Sequence, residues 1–322
     1  MKSIGMKSSI ALTTYNGIRW LPELLDSLVN QSVQADEVVI FDDASTDGTF
    51  EYLEKYVKER KLSSWRIYKN KTNLGWRKNF RNALFECTGD IIFLADQDDI
   101  WKDEKIKEMK EVMYQNADIG VLVSNYEPLY ENEYNRKKIK VNSLKNNTKT
   151  VEKIDLKLSS IYPMRPGCTY CVRKDMIQLL QDKDLEHRAH DCMLWNYSVI
   201  KDRLYIYNKS LIKFRRHDMN ASSPKGNLNL KRRLQEIQLD MEIIKFNIEV
   251  LSNNSDNKTN SEILERAMKF SEQRYLILKS KSLFQLLIFQ LLNYKGYATR
   301  RNQLSDIYLL FNGKEVSNDK KS

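Results

Sequence analysis

The chain has 322 residues, of which 41% are hydrophobic and 30% charged, a composition typical of a soluble protein with a real core. Lys and Arg outnumber Asp and Glu by 53 to 43, and the net charge of +10 favours an anionic partner without choosing among phosphates, nucleic acid and an acidic membrane. The longest apolar stretch, Leu283–Leu292, is short and contains Gln285 and Gln290, which excludes a membrane span. With no signal-peptide pattern and few cysteines, we expect a cytoplasmic protein with reduced thiols.

Strand and helix patterns alternate over the first third of the chain. Short apolar or β-branched runs predict strands, and apolar residues spaced i, i+3, i+4 and i+7 predict helices. The predicted elements are a strand at 8–13, a helix around 21–28, the strand Glu37–Phe41, the helix Phe50–Arg60, the strand Trp65–Lys69, the helix Trp76–Cys87, the strand Asp90–Ala95 and a helix from about Lys102. This alternation predicts an α/β fold with a doubly wound, mostly parallel sheet.

The pattern changes in the second half of the chain. Strands are predicted at Ile119–Ser124, Cys168–Val172 and Leu204–Phe214, a helix at Asp191–Ile200, and a mobile polar loop at Tyr130–Thr150. From Leu228 onwards the sequence predicts helices separated by a polar stretch at Ser252–Thr259. We therefore expect a main domain at 1–224 and a C-terminal helical appendage at 225–322.

Three polar clusters follow predicted strands: Thr13 to Asn16, Asp42-Asp43, and Asp96 to Asp99. Ligands of a doubly wound sheet bind at the carboxyl ends of the strands, so these clusters predict one site. Converging carboxylates repel an anionic ligand unless a cation lies between them, and Mg²⁺ or Mn²⁺ bound to carboxylates and substrate phosphates resolves that conflict. The alternative is a solvated acidic turn before the next helix.

Residues in two of these clusters have both a structural and a functional interpretation. Asp42 and Asp43 are able to begin a turn through Ser45 to Gly48, and one of the carboxylates is able to accept a hydrogen bond from a nucleobase or ribose. Both interpretations can hold together. Tyr15 either stacks on a base or packs against the sheet.

Four segments in order resemble the family 2 inverting glycosyltransferases: LTTYN, VVIFDDASTDGT, NLGWRKNF and GDIIFLADQDDIW. The resemblance covers about residues 8–220 and is greatest to the rhamnosyltransferase-like enzymes of bacterial capsule and O-antigen synthesis. It implies a GT-A fold, with a donor half at about 8–125 and an acceptor half at about 150–224. It also implies a nucleotide-sugar donor, Mg²⁺ or Mn²⁺, and a lipid-linked oligosaccharide or glycan acceptor.

The resemblance also implies roles for individual residues. The donor-binding residues are Thr13, Tyr15, Asp43, Asn79 and Asp96. The metal ligand is Asp98, supported by Asp99.

Two later assignments also come from the resemblance. Gly167-Cys168-Thr169 followed by His190-Asp191 matches the family segment that contains the catalytic base, so Asp191 is the candidate base; the alternative is an ordinary acid at a helix start. The segment ending in His217 matches the one whose histidine approaches the metal and diphosphate. The alternative for His217 is a surface histidine beside basic residues.

Two further patterns have competing explanations. Cys168, Cys171, His187 and His190 resemble half of a zinc site, but the histidine spacing is short and buried thiols are favoured. The apolar and basic segment Lys281–Leu310 suits a helix on the inner face of the bacterial membrane as well as a helix packed on the main domain.

Two other functions compete with glycosyl transfer. A sugar-phosphate nucleotidyltransferase would need a Gly-rich, Arg-bearing loop after the first strand, where this chain has TTYNG. A carbohydrate- or nucleic-acid-binding protein is disfavoured because the basic residues are scattered rather than interleaved with aromatic residues on one element. We therefore expect no nucleic-acid partner.

Overall fold

The computed structural model describes residues 5–138, 147–178, 180, 189–217, 229–252, 258–297 and 300–312. The chain forms two compact units. The first comprises Met1–Asp155 and Pro163–Ser223, and the second comprises Leu156–Tyr162 and Pro224–Ser322. The first unit contains the sheet and the second is helical.

The first unit contains a nine-stranded mixed sheet. Its strands are β1 Ser8–Thr14, β2 Glu37–Asp42, β3 Trp65–Lys69, β4 Ile91–Asp96, β5 Ile100–Trp101, β6 Val121–Tyr130, β7 Val151–Lys153, β8 Tyr170–Arg173 and β9 Leu204–Arg216. The order is β3-β2-β1-β4-β8-β6-β9-β5, and β7 pairs with β9. The pairs β1–β2, β1–β4, β2–β3 and β6–β9 are parallel, whereas β8, β5 and β7 run antiparallel to their neighbours.

Helices connect the strands of this unit. They are α1 Leu21–Val29, α2 Thr49–Glu59, α3 Trp76–Glu86, α4 Lys105–Gln115, α5 Glu133–Lys138, α6 Lys174–Gln178 and α7 His190–Ile200. The four leucines that predicted α1 are all buried, as the amphipathic spacing requires. Every residue of β1 is buried, which is typical of a central parallel strand.

The sheet register brings the polar strand ends together. Strand β1 lies between β2 and β4, and Thr13 is paired with Phe41 on one side and Asp96 on the other. Thr14 is paired with Asp42. Since parallel strands present their carboxyl ends at the same edge, the three predicted polar clusters meet there.

The short strand β5 connects this edge to the end of β9. Ile100 pairs with Lys213, and Trp101 with Ile212, in antiparallel register. The Arg215 backbone N–H donates a 2.9 Å hydrogen bond to Asp99 Oδ1. The chain leaving β9 is thereby held beside the acidic segment Asp96–Asp99.

The fold prediction is confirmed, with three local corrections. The predicted loop Tyr130–Thr150 contains helix α5, and residues 139–146 lie outside the described residues. The predicted strand Cys168–Val172 begins instead with a 3₁₀ turn at Gly167–Thr169, which precedes β8. The short strands β5 and β7 were not predicted, because two or three residues carry no periodicity that could reveal a strand.

The second unit contains the helices α8 Leu230–Ser252, α9 Lys258–Lys279, α10 Leu283–Leu292 and α11 Arg300–Asn312. Its apolar core forms two clusters, one around Ile237, Leu278 and Leu286, the other around Phe270, Phe289 and Tyr297. Among the described residues, no helix is both long and apolar enough to cross a bilayer.

A buried ion-pair network joins α9 and α11. Asp306 accepts hydrogen bonds from Arg274 Nε at 2.7 Å and Nη2 at 2.9 Å. Its carboxylate also lies 3.3 Å from Arg233 Nε and 3.2 Å from the Tyr297 hydroxyl. Two guanidinium groups and one hydroxyl therefore compensate this buried carboxylate.

Candidate active site

The acidic segment begins where β4 ends. Burial and the neighbouring carboxylates of Asp98 and Asp191 raise the pKa of Asp96 to about 7. Burial, together with Asp98 and Asp96, raises the pKa of Asp99 well above its ordinary value. Burial is the main cause of both shifts, and repulsion among the converging carboxylates adds to it.

Asp98 contacts His217, the residue that follows β9. The distance from Asp98 Oδ2 to His217 Nε2 is 2.8 Å, and the histidine is buried. The imidazole stacks on Trp20 with 3.9 Å between ring centroids, and Trp20 Nε1 donates a 3.1 Å hydrogen bond to Glu131. His217 is therefore a fixed part of the site, and the alternative of a surface histidine is wrong.

Asp99 points away from solvent and is 0% exposed. Its Oδ1 accepts the Arg215 N–H, and its Oδ2 meets no nitrogen or oxygen donor among the described residues. A carboxylate oxygen of Asp99, one of Asp96 and the Cys168 sulfur lie within 4.8 Å of one another. Asp99 thus anchors β9 to the acidic segment, and its direct contact with a metal stays a prediction.

One buried amine lies near these acids. Lys105, the first residue of α4, donates a 2.7 Å hydrogen bond from Nζ to the Cys168 carbonyl oxygen, and burial lowers its pKa to about 8. Its Nζ also lies 3.6 Å from the centre of the Trp101 ring. The sequence analysis did not predict this buried lysine, because Lys105 is one of many lysines in predicted helices and its burial has no signal in the sequence.

Asp43 organises the loop before α3. Its carboxylate accepts hydrogen bonds from Asn70 Nδ2 at 2.8 Å, Leu74 N at 2.8 Å and Gly75 N at 2.9 Å. A carboxylate has about four lone-pair positions, so one position remains for a ligand. The predicted turn is capped by Asp42 instead, whose carboxylate accepts the Ser45 N–H and the Ser45 hydroxyl, and the nucleotide interpretation of Asp43 stays a prediction.

Asn79 connects the same loop to strand β2 through hydrogen bonds. It is 1% exposed; its Nδ2 donates to the Phe41 carbonyl oxygen and its Oδ1 accepts from Asn70, each at 2.8 Å. In this geometry Asn79 supports the residues around Asp43. Its predicted contact with the donor stays a prediction.

Gln97 fixes the loop after β1. Its Oε1 accepts the Tyr15 N–H at 2.8 Å, and its Nε2 donates to the Tyr15 carbonyl oxygen at 3.0 Å. A Cβ at position 17 would lie 2.2 Å from Gln97 Oε1, so the approach requires Gly17. The middle residue of the D-x-D segment thus holds the backbone of a predicted donor-binding residue, a role that the sequence did not suggest.

The other two predicted donor residues of β1 differ in exposure. Tyr15 is 47% exposed, so its ring is open to a ligand, and its stacking on a base stays a prediction. Thr13 is 7% exposed and lies beside Asp96 in the register. Both residues are at the strand edge that carries the acidic segment.

Asp191 lies in the first turn of α7, near this edge. It is close enough to Asp96 to raise the pKa of that residue. Its Oδ1 accepts the Cys192 N–H at 2.8 Å, and a Cβ at position 167 would lie 3.2 Å from its Oδ2. Gly167 therefore leaves the room in which this carboxylate lies, and α7 brings the candidate base to the acidic segment.

His190 does not orient Asp191 in the described geometry. Its ring stacks on Phe80 at 4.0 Å and meets Trp76 edge-on at 6.0 Å, and burial lowers its pKa. Cys168 and Cys171 are buried free thiols, as favoured from the sequence. His187, the remaining residue of the zinc pattern, lies outside the described residues.

The chemistry of the site fits a hard divalent cation. Asp96 and Asp98 offer oxygen ligands and His217 offers a nitrogen. Burial and the convergence of the carboxylates raise the pKa values of Asp96 and Asp99, and a bound cation would favour their charged forms. Burial and Asp99 raise the pKa of Cys168, so its neutral thiol is a poor ligand. The donor set suits Mg²⁺ or Mn²⁺.

The match to a known family decides the class of this site. Residues 9–180, which include the acidic segment, match the family described as Glycosyl transferase family 2. The chain belongs to this family. Family 2 membership confirms the predicted family and disfavours the nucleotidyltransferase and binding-protein alternatives. The rhamnosyltransferase-like subgroup stays a prediction.

Curated relatives match part of the chain. Poly(ribitol-phosphate) beta-N-acetylglucosaminyltransferase TarS of Staphylococcus aureus is 36% identical over 106 residues, which are 32% of this chain and 18% of the relative. An uncharacterized glycosyltransferase of Haemophilus influenzae is 30% identical over 125 residues, 39% of this chain and 38% of the relative. The matches thus span less than half of each relative's length.

Solved structures share the fold over nearly the whole chain. TarS residues 1–349 in complex with UDP-GlcNAc aligns with a TM-score of 0.60 at 19% identity, over 95% of this chain and 90% of that chain. The mannosyltransferase PcManGT of Pyrobaculum calidifontis, in complex with GDP-Man and Mn²⁺, aligns with a TM-score of 0.53 at 15% identity, over 95% and 85% of the two chains. At these identities the likeness concerns the fold.

Proposed function

We propose that this family 2 glycosyltransferase transfers a sugar, with inversion, from a nucleoside-diphosphate donor to a hydroxyl of a growing bacterial surface polysaccharide. The donor is dTDP-rhamnose or a UDP-sugar. The observation that carries the proposal is the position of Asp191 at a helix start beside the acidic segment, since one cleft then offers both a base and a cation site. The likeness to a transferase solved with UDP-GlcNAc supports the donor class.

The donor would lie across the edge formed by β1, β2 and β4. The exposed Tyr15 ring and the remaining lone pair of Asp43 would bind the base and ribose, with Thr13 and Asp96 beside them. Asp98 and His217 would hold Mg²⁺ or Mn²⁺, with Asp99 behind them. When bound, the cation neutralises charge that develops on the departing diphosphate.

Asp191 would act as the general base. The acceptor hydroxyl oxygen forms a bond to the anomeric carbon while the bond from that carbon to the diphosphate oxygen breaks, and the hydroxyl proton passes to Asp191. The electron pair of the breaking bond leaves with the nucleoside diphosphate. Because base and leaving group act in one step on opposite sides of the sugar, inversion follows.

The acceptor is a glycan or a lipid-linked oligosaccharide in this proposal. Contact with the anionic inner face of the bacterial membrane would bring the enzyme to a lipid-linked acceptor. The residues suited to such contact lie in the helical unit.

The test is donor turnover with a panel of dTDP-, UDP- and GDP-sugars. Release of nucleoside diphosphate from one class, in Mn²⁺ or Mg²⁺ but not in EDTA, is expected, and adding a glycan acceptor should accelerate it. A non-catalytic binding protein would release none. Turnover in EDTA equal to that in Mn²⁺ would remove the cation from the proposal.

A further inference from the structure

Helix α10 is apolar on two opposite faces. Leu286 and Phe289 are at most 5% exposed and belong to the two core clusters of the helical unit. On the other face Phe284 is 74% exposed and Leu291 78%, with Leu287 and Ile288 more than two-fifths exposed between them. Their spacing of i, i+3, i+4 and i+7 places these four side chains on one side of the helix. We call these four residues the α10 face.

A surface helix of a globular protein normally presents polar residues on its outer side. The α10 face presents none, and α10 as a whole contains no charged residue. Helix α11, which packs against α10, exposes Leu304, Tyr308 and Phe311 by about two-thirds each at i, i+4 and i+7. Large exposed apolar side chains on two helices that pack together indicate a binding surface.

The sequence on both sides of α10 is basic. From Gln273 to Ser305 it contains no aspartate or glutamate, whereas it contains Lys279, Lys281, Lys295, Arg300 and Arg301, besides Arg274, whose charge is paired with Asp306. Lys279, Lys281 and Arg300 are exposed. An apolar face inside a basic, acid-free segment is complementary to anionic headgroups above hydrocarbon.

The same charge argues against a second copy of this chain as the occupant. A twofold dimer brings the same surface of both subunits together, so basic edges would face basic edges. The ten-residue length of α10 also excludes a span, because a helix rises about 1.5 Å per residue and a bilayer core is about 30 Å thick. The helix is suited to lie in the plane of the interface.

We propose that the α10 face inserts into the headgroup region of an anionic phospholipid bilayer, with Lys279, Lys281 and Arg300 contacting the headgroups. The α10 face shares no residue with the candidate active site, so membrane binding and sugar transfer can be tested with separate variants. The function of the contact would be to place a soluble active site beside acceptors held in the membrane.

The test uses the full chain and vesicles of phosphatidylcholine with or without one-third phosphatidylglycerol. Sedimentation should show binding to the anionic vesicles that weakens as NaCl is raised. The variant Phe284→Gln/Leu291→Gln should lower the partition coefficient about tenfold or more, because Gln keeps helix propensity but removes apolar area. Lys281→Glu/Arg300→Glu should lower it to a similar extent.

Matched controls change exposed residues on other helices. Tyr114→Gln/Leu239→Gln removes exposed apolar residues from α4 and α8, and Lys245→Glu reverses an exposed charge on α8. Both should bind vesicles normally, and every variant should release nucleoside diphosphate at the normal rate without vesicles. Absence of binding by the unchanged chain, or normal binding by the Phe284→Gln/Leu291→Gln variant, overturns the proposal. The proposal is also overturned if the unchanged chain does not bind vesicles and light scattering shows that it is a dimer which the Phe284→Gln/Leu291→Gln substitutions dissociate.

Discussion

Two aspartates of this protein are equally buried, but the groups that surround their carboxylates differ. Asp306 in the helical unit and Asp99 in the sheet unit are each 0% exposed. Arg274 and Tyr297 donate hydrogen bonds to Asp306, and Arg233 lies 3.3 Å from it. Asp99 accepts one backbone N–H and a weak hydrogen bond from the Cys168 thiol, and burial and its acidic neighbours raise its pKa.

The difference separates a structural charge from a functional one. A buried ion that its own protein compensates contributes to the uniqueness of the fold, and removing one partner is costly. Buried acids that lack such partners carry uncompensated negative charge when they ionise, and a cation from solution can compensate it. The region around Asp96 to Asp99 is therefore suited to a ligand, and the surroundings of Asp306 are not.

The largest expected effect is that of Asp98→Asn on turnover. We expect a loss of several orders of magnitude, because the cation would lose a carboxylate ligand at the point where leaving-group charge develops. Thermal unfolding should change little, since the substitution is nearly isosteric. Asp103→Asn, an exposed aspartate in the turn after β5, is the control and should be fully active. Full activity of Asp98→Asn in EDTA would contradict the metal assignment.

The second-largest expected effect is that of Asp191→Asn on the transfer rate. Loss of a general base typically lowers a rate about a hundred- to ten-thousand-fold, while donor and metal binding persist. Transfer rate at saturating donor and calorimetric donor affinity separate the two effects. His190→Ala should cost less, because the ring packs on Phe80 rather than on Asp191. Near-normal transfer by Asp191→Asn would place the base elsewhere, with Glu186, outside the described residues, as the next candidate.

Stability should distinguish the two buried aspartates directly. Asp306→Asn leaves Arg274 without its charged partner in the interior and should cost about 3–5 kcal/mol in urea unfolding. Asp99→Asn in EDTA at pH 8 should cost less than about 1 kcal/mol or stabilise the protein, because it removes an uncompensated acid. Equal destabilisation by both substitutions would mean that the contrast between the two sites has no energetic basis.

A smaller effect concerns pH. The folded protein keeps a proton on Asp96 that the unfolded chain, with a carboxyl pKa of 3.8, releases, so the unfolding free energy in EDTA should fall as pH rises from about 4 to about 7. A proton on Asp96 removes negative charge beside Asp98, the proposed ligand, so Mn²⁺ should bind up to about tenfold more tightly at pH 8 than at pH 6. Calorimetry at both pH values measures this ratio, which Asp96→Asn should reduce towards one.

The smallest predicted effect is that of Gln97→Ala. Loss of two hydrogen bonds to the Tyr15 backbone should weaken nucleotide binding about fivefold to tenfold, since each contributes about 1 kcal/mol or less at a partly exposed position. Gln97→Glu, which keeps one acceptor but no donor, should be intermediate. If nucleotide affinity is unchanged in both variants, the loop does not depend on Gln97.

The order of elements was predictable because it rests on local patterns. Local sequence patterns were enough to predict strands β1 to β4 and the polar clusters that follow them. Examples are the apolar spacing of α1, the β-branched residues of β2 and the apolar residues that precede Asp96. The resemblance then supplied residues far along the chain, such as His217 and Asp191. The structure brings His217 to 2.8 Å from Asp98 and places Asp191 near Asp96, but their roles in transfer stay predictions.

The sequence by itself determined that this is an α/β protein of a glycosyltransferase family with an acidic segment at a strand end. Only the tertiary structure decided which polar groups are compensated. Gln97 meets Tyr15 across 82 residues, and Asp99 meets Arg215 across 116. Such contacts leave no periodic trace, because burial and hydrogen bonding depend on which strands become neighbours, and sheet order is set by the packing of the whole unit.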